Sequence, residues 1–337
     1  MEKTRPTYDF SLNWKEAQAW IAGCPIYQQT PLISVQLPDG RDAFVKDERN
    51  RFGLGSFKAL GGVYAVARML AQQRGSSRET LKRENHVGHV TTFVCATAGN
   101  HGLAVAAGAA LFGAKARVHI SDEVPESFAA RLREKGATVL RSGKHYENSV
   151  AAAMEDAEIA GRVLLADGSW SGYTEPPRLV MEGYTVIASE LRETFEKTSD
   201  WPTDVFLQAG VGGLAAAVTC VIRESWAVQP LIHIVEPEEA PCVAESLRMG
   251  RVMTVEGGLS EMGRLDCKTA SLVAVSLMRG RVDGGLSISN AEGRLATETA
   301  AALGRPSTSS GAAGLAGALK TPGASRPLVI LTEASLS

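Results

Sequence analysis

Val90-Thr-Thr-Phe-Val-Cys95 runs into Ala96-Thr-Ala-Gly-Asn-His-Gly102 and then into an alanine-rich stretch from Leu103 to Phe112. An apolar run with β-branched residues fits a strand buried on both faces, and the small residues beyond the glycine loop favour a closely packed helix. The unit recurs downstream. Ala116–Ile120 reads as a strand and Glu126–Lys135 as a helix, followed by Thr138–Leu140 and a helix over Asn148–Ala160, then Val163–Ala166 as a strand. Strands alternating with helices of about a dozen residues predict parallel sheets covered by helices, an α/β fold.

Working outward, Glu175-Pro-Pro177 predicts a break before a long helix over Arg178–Phe195. Asp204–Gln208 is a strand, Leu214–Trp226 a helix and Leu231–Glu236 a strand. The pattern then weakens over 237–290, where Gly257-Gly258 and Gly284-Gly285 suggest loops. Helices over 290–304 and 311–320 precede a last strand, Leu328–Thr332. Upstream lie a helix over Trp14–Ile21, strands Leu32–Leu37 and Asp42–Lys46 joined by a turn at Pro38-Asp-Gly40, and an exposed helix end and loop over Gln72–Gly88. Two α/β lobes with one cleft between them is the predicted architecture.

Of the 337 residues 45% are hydrophobic and 21% charged, the balance of an ordinary water-soluble enzyme. A formal net charge of −2 gives no electrostatic case for nucleic acid or a membrane surface. No apolar run reaches the roughly 18 residues of a membrane span, and the first residues lack the apolar core of a secretory signal. The five cysteines, Cys24, Cys95, Cys220, Cys242 and Cys267, show no metal-binding spacing. Free thiols in a cytoplasmic protein are expected, with pairing of Cys242 and Cys267 left open. No metal site is expected.

Arg51-Phe-Gly-Leu-Gly-Ser-Phe-Lys58-Ala-Leu-Gly-Gly62 places a lysine at the start of a helix that continues through Leu70, with Ser56 available as its cap. The first turn of a helix disfavours a cation, so Lys58 has another use, such as an imine to a carbonyl cofactor. Three strand-to-helix loops supply partners. Gly99-Asn100-His101-Gly102 offers backbone N–H groups and an amide. Gln208-Ala-Gly-Val-Gly-Gly213 is a phosphate cradle that matches neither GxGxxG nor GxxxxGK[ST]. Ser307-Thr-Ser-Ser310 sets hydroxyls before a helix of small residues. An imine-forming lysine, a phosphate cradle, an amide for a ring hydroxyl and a hydroxyl for a ring nitrogen together suit pyridoxal 5′-phosphate.

On these strings, with Ala166-Asp-Gly-Ser-Trp-Ser-Gly-Tyr173, Met181-Glu-Gly-Tyr184 and Val235-Glu-Pro237, the chain resembles the fold-type II (tryptophan synthase β-like) pyridoxal-phosphate enzymes over roughly residues 30–320. Within them it is most similar to diaminopropionate ammonia-lyases. The resemblance implies that Lys58 binds the cofactor and takes the substrate α-proton, and that Asn100 meets the ring oxygen. It implies phosphate binding by Gly210, Val211, Gly212 and Gly213, and Ser310 at the pyridine nitrogen, with Ser309 or Thr308 as alternatives. Asp167, Thr97, His101 and Tyr173 become substrate-binding residues. A large cofactor domain, residues 1–72 plus 180–337, and a small domain, 73–179, closing over the cleft are also implied.

The implied activity is α,β-elimination from a small L-amino acid to a 2-oxo acid and ammonia, with L-2,3-diaminopropionate as first candidate, in a cytoplasmic homodimer of amino-acid metabolism. A serine/threonine-type dehydratase or a β-replacement synthase of the same fold is the alternative, and a non-catalytic binding protein is a third. One departure matters. The family carries Asp where this chain has Ala98, and Ala98 cannot take a proton, so loss of activity on the D-enantiomer is expected.

Overall fold

The computed structural model describes residues 9–77, 90–97 and 99–335. Its strands are β1 (Leu32–Gln36), β2 (Asp42–Asp47), β3 (Thr92–Ala96), β4 (Lys115–Ile120), β5 (Thr138–Arg141), β6 (Arg162–Leu164), β7 (Asp204–Gln208), β8 (Leu231–Pro237), β9 (Gly284–Ile288) and β10 (Pro327–Leu331). Its helices are α1 (Trp14–Ala22), α2 (Lys58–Arg74), α3 (Asn100–Leu111), α4 (Glu126–Glu134), α5 (Tyr146–Ala157), α6 (Glu175–Thr198), α7 (Gly213–Ser225), α8 (Cys242–Met249), α9 (Leu272–Met278), α10 (Asn290–Ala302) and α11 (Ala313–Lys320).

They build two sheets. One has four strands in the order β5-β4-β3-β6, all parallel. The other has six in the order β1-β2-β10-β7-β8-β9, parallel except for the β1–β2 hairpin. Strands β7 and β10 are buried along their whole length; β10 reads as a continuous apolar run, while β7 sets Val205-Phe-Leu207 between buried Asp204 and Gln208. The last strand of the chain lies mid-sheet between β2 and β7, so the turn after β10 emerges beside the turns after both neighbours.

Helices α2, α3 and α6 pack closely because glycines open the contact. A Cβ on Gly61 would stand 2.4 Å from Tyr184 Cε1, and one on Gly62 would stand 2.5 Å from Ala104 Cβ. The alternating pattern therefore delivers the α/β architecture of two parallel-sheet units.

Three local readings need correction. Glu175-Pro-Pro177 does not break the chain but starts α6, because prolines in a first turn lack only N–H groups that have no helical partner. Gly284-Gly285 opens the edge strand β9 instead of a loop. Ser56 makes no cap; Phe57 holds that position without a side-chain hydrogen bond, while Ser56 is buried in a bridge to Glu333. The exposed helix end expected from Gln72 is present, since α2 runs to Arg74 and stops at a left-handed Gly75, and residues 78–89 of the expected loop lie outside the described residues. All five cysteines are free thiols.

Candidate active site

Lys58 is the first residue of α2, and the chain before it is held by charge. Arg51 is fully buried, and its guanidinium meets Glu48 Oε1 at 2.6 Å and Glu190 Oε1 at 2.7 Å. Lys46 Nζ completes the cluster on Glu190 Oε2 at 2.5 Å, so two cations balance two carboxylates. Breaking one member of such a buried set strands the others, so the turn is rigidly placed. Phe52 takes a positive φ of 53° within it. Phe57 N–H then donates to Thr332 O at 3.0 Å, tying the start of α2 to the carboxyl end of β10.

From this position the Lys58 ammonium pairs with the Asp167 carboxylate. Burial disfavours both charges, yet the pairing outweighs it. Lys58 is held above the usual lysine range, and Asp167 well below the usual carboxylate range. Asp167 owes its place to Tyr173, whose hydroxyl accepts from Ala166 N–H at 3.1 Å and donates to Leu164 O at 2.9 Å. Tyr173 thus shapes the Asp167 turn, and its ring stacks on Trp170 at 4.5 Å between centroids.

His101 Nε2 lies 2.8 Å from Leu165 O, and its Nδ1 is buried with no partner among the described residues. Burial lowers its pKa, with Asp167 opposing and Lys58 assisting, so the ring is neutral. Thr97 Oγ1 accepts from Gly99 N–H at 2.9 Å, closing its own loop. Ala98 lies outside the described residues.

Asn100 Nδ2 donates to Glu333 Oε2 at 2.5 Å. The same carboxylate takes Arg264 Nε at 2.7 Å and the Thr308 hydroxyl. Ser310 is buried, and its oxygen accepts the backbone N–H of Arg264 at 3.2 Å. Ser309 turns to Glu261 O at 3.4 Å.

The third loop follows β7. Gly212 has φ +97°, and a Cβ on Gly210 would stand 3.0 Å from Cys267 Sγ and 3.1 Å from Arg264 O. Helix α7 begins at Gly213 with no side-chain cap, so its first N–H groups are left for a ligand. Burial, with Asp167 adding, pushes the Cys267 thiol up to about 11, and a neutral thiol therefore borders this loop.

Lys58, Asn100 and the glycine loop thus follow the carboxyl ends of β2, β3 and β7, and Ser310, ahead of α11, lies beside the end of β10, where Gly311 O accepts Thr332 N–H at 3.1 Å; ligands bind at such strand ends in α/β sheets. An amine, an uncapped helix start and a cradle that any side chain would fill are the donor set of pyridoxal phosphate, and these residues fit it. The sequence pattern did not single out two further residues. Glu333 follows the apolar run of β10, a strand-end position that marks it in hindsight. Arg264 lies in the weakly patterned segment. Among the described residues no cluster of His, Cys, Asp and Glu is placed to hold a metal.

The family model for pyridoxal-phosphate dependent enzymes matches residues 24–333. Diaminopropionate ammonia-lyase of Escherichia coli strain K12 is 33% identical over 262 residues, 75% of this chain and 66% of the relative. The enzyme of the same name from Salmonella typhimurium strain LT2 is 35% identical over 283 residues, covering 78% of this chain and 69% of its own length. This chain therefore spans about two thirds of the length of these curated relatives. The crystal structure of the Escherichia coli enzyme in complex with an aminoacrylate-PLP azomethine reaction intermediate superposes with a TM-score of 0.82 at 27% identity, over 99% of this chain and 91% of that one.

Proposed function

The chain belongs to the pyridoxal-phosphate dependent enzyme family, and from that premise we propose that it eliminates the β-substituent of a small L-amino acid, giving a 2-oxo acid and ammonia. L-2,3-Diaminopropionate, yielding pyruvate and ammonia, is the first candidate. The observation that carries this reading is the Lys58–Asp167 ion pair, taken with the Asn100–Glu333 bond and the uncapped start of α7.

When bound, pyridoxal phosphate supplies an electron sink that acidifies the α-carbon of an attached amino acid. Lys58 anchors it and receives the α-proton at Nζ. Asp167 sets the charge of that nitrogen and, once Lys58 is engaged, faces the distal amino group of the substrate. Gly210, Val211, Gly212 and Gly213 hold the phosphate through backbone N–H groups. Asn100, oriented by Glu333, meets the ring oxygen.

Ser310 keeps its hydroxyl proton for the pyridine nitrogen, since its oxygen already accepts from Arg264. Thr97 and His101 shape the pocket that takes the substrate carboxylate, and Tyr173 holds Asp167 in place. Residues 73–179 form the unit that closes on the cleft. The cofactor and substrate assignments suit a cytoplasmic homodimer. No helix among the described residues is long and apolar enough to cross a membrane.

A β-hydroxy-amino-acid dehydratase is the second reading, favoured by the Thr97-Ala-Gly99 loop, which lacks the carboxylate of the ammonia-lyases. One screen separates them. Purified protein is assayed for 2-oxo acid release from L-diaminopropionate, L-serine, L-threonine and hydroxyaspartate, alongside its near-visible absorbance. Release from diaminopropionate with a band absent in Lys58→Ala is expected. Preference for a hydroxy amino acid selects the dehydratase, and absence of the band in wild type sinks both.

A further inference from the structure

Tyr184 lies on α6, and its ring is wedged between two helix starts. A Cβ on Gly61, in the first turn of α2, would stand 2.4 Å from Tyr184 Cε1, and one on Gly213, at the start of α7, would stand 3.8 Å from Cε2. The Phe57 ring packs on it at 4.8 Å between centroids. The residue is 2% exposed, and its hydroxyl has no hydrogen-bond partner among the described residues.

A buried hydroxyl without a partner is destabilising, and such groups in folded proteins are satisfied or reserved for a ligand. The surroundings say which ligand. Helix α7 begins here with no side-chain cap and positive φ at Gly212, so its free N–H groups attract an anion. Lys58 and Asp167 also act on the phenol electrostatically, but neither is paired with it. Burial keeps the hydroxyl protonated, so it is a donor and needs an acceptor.

We infer that Tyr184 donates a hydrogen bond to the phosphate of the bound cofactor, as a side-chain ligand in addition to the backbone of Gly210–Gly213. The inference rests on the pyridoxal-phosphate reading of the site. It also explains the position of Gly61: no larger residue leaves room for this ring beside the first turn of α2.

The test compares Tyr184→Phe with wild type in affinity for pyridoxal phosphate and for pyridoxal, which lacks the phosphate, both measured on cofactor-free protein by absorbance titration. A hydrogen bond to a charged acceptor is strong, so a roughly ten-fold or greater loss of pyridoxal phosphate affinity is expected, with pyridoxal affinity unchanged. The cofactor-free variant, relieved of an unpartnered hydroxyl, keeps or raises its melting temperature, and the 31P resonance of the bound cofactor moves between wild type and variant. Equal losses for both ligands place the hydroxyl at the ring and overturn the inference, as does unchanged binding of both. Failure of wild type to bind pyridoxal phosphate overturns the cofactor assignment and this ligand with it.

Discussion

Lys58 and Asp167 form an ion pair that joins the first turn of α2 to the turn following β6. The pair keeps the lysine protonated before cofactor arrives, and a protonated amine is no nucleophile. In Asp167→Asn the carboxylate charge that raises the Lys58 pKa is gone, so the amine is free at lower pH. Covalent uptake of pyridoxal phosphate by the cofactor-free variant is therefore expected to show its pH profile displaced toward acid relative to wild type. Absorbance-monitored uptake between about pH 6 and 9 measures this. Coincident profiles would mean that Asp167 does not govern the lysine.

Gly212 joins β7 to α7 at φ +97°, and a Cβ there would stand 3.1 Å from Val243 Cγ2 and 3.2 Å from both Ala274 Cβ and Met278 Cε. Gly212→Ala therefore combines backbone strain with crowding and is expected to lose about 1–3 kcal/mol of stability, together with cofactor affinity. Gly250→Ala is the control, since Gly250 also has positive φ but nothing within 4 Å of its added Cβ. Urea midpoints compare them. A Gly212→Ala loss no larger than the control's would show that the cradle tolerates a side chain.

What the sequence could not show was long-range. The alternation from β3 to β6 was legible because the buried β3 is an apolar run at Phe93, Val94 and Cys95 and short β-branched stretches recur between helical segments, and Lys58 and the glycine loop were legible because their residue types are costly elsewhere. Over 237–290 the alternation stops. Helices α8 and α9 are only eight and seven residues long, and the connection between them is tied to the preceding strand end by bonds such as Lys268 Nζ to Glu239 O at 3.0 Å.

Glu333 meets Asn100 across 233 positions, and local pattern carries no trace of such a pairing. Ser56 looked like a cap for the same reason. Its bridge to Glu333 belongs to the far end of the chain, and that bridge overrides the local preference.

Glu236 is buried at the end of β8, where it accepts Val243 N–H at 2.8 Å and Ala244 N–H at 2.7 Å at the start of α8. Burial pushes its carboxyl up to about 7, and the two N–H groups oppose this only in part. A raised carboxyl pKa means that the folded protein binds the proton more tightly than the unfolded chain. Its favourable contribution is complete below the unfolded value near 4.5 and is lost as pH rises toward 7, by roughly 3 kcal/mol at most. Glu236→Gln is neutral throughout and retains one acceptor. Its stability, measured by urea unfolding between pH 5 and 8, is expected to decline less with pH than that of wild type. Parallel profiles would rule out Glu236 as the titrating group.

Stereochemistry gives the last prediction. The resemblance to diaminopropionate ammonia-lyases implies a second proton acceptor, an aspartate, at the position where this chain has Ala98, between Thr97 and Gly99. A methyl group takes no proton, and Thr97 already bonds Gly99 within the loop, so neither neighbour substitutes for it. Lys58 is then the one base assigned to the reaction, and it serves one face of the α-carbon. A positioned general base contributes roughly 10²–10⁴-fold, so turnover of D-diaminopropionate is expected to be at least about 100-fold below that of the L-form. Ala98→Asp is expected to raise activity on the D-form while leaving the L-form largely unchanged. Side-by-side 2-oxo acid assays on both enantiomers decide it. Comparable turnover of the D-form by wild type would require another base, and the neutral, partly unpartnered His101 is the first residue to examine in that case.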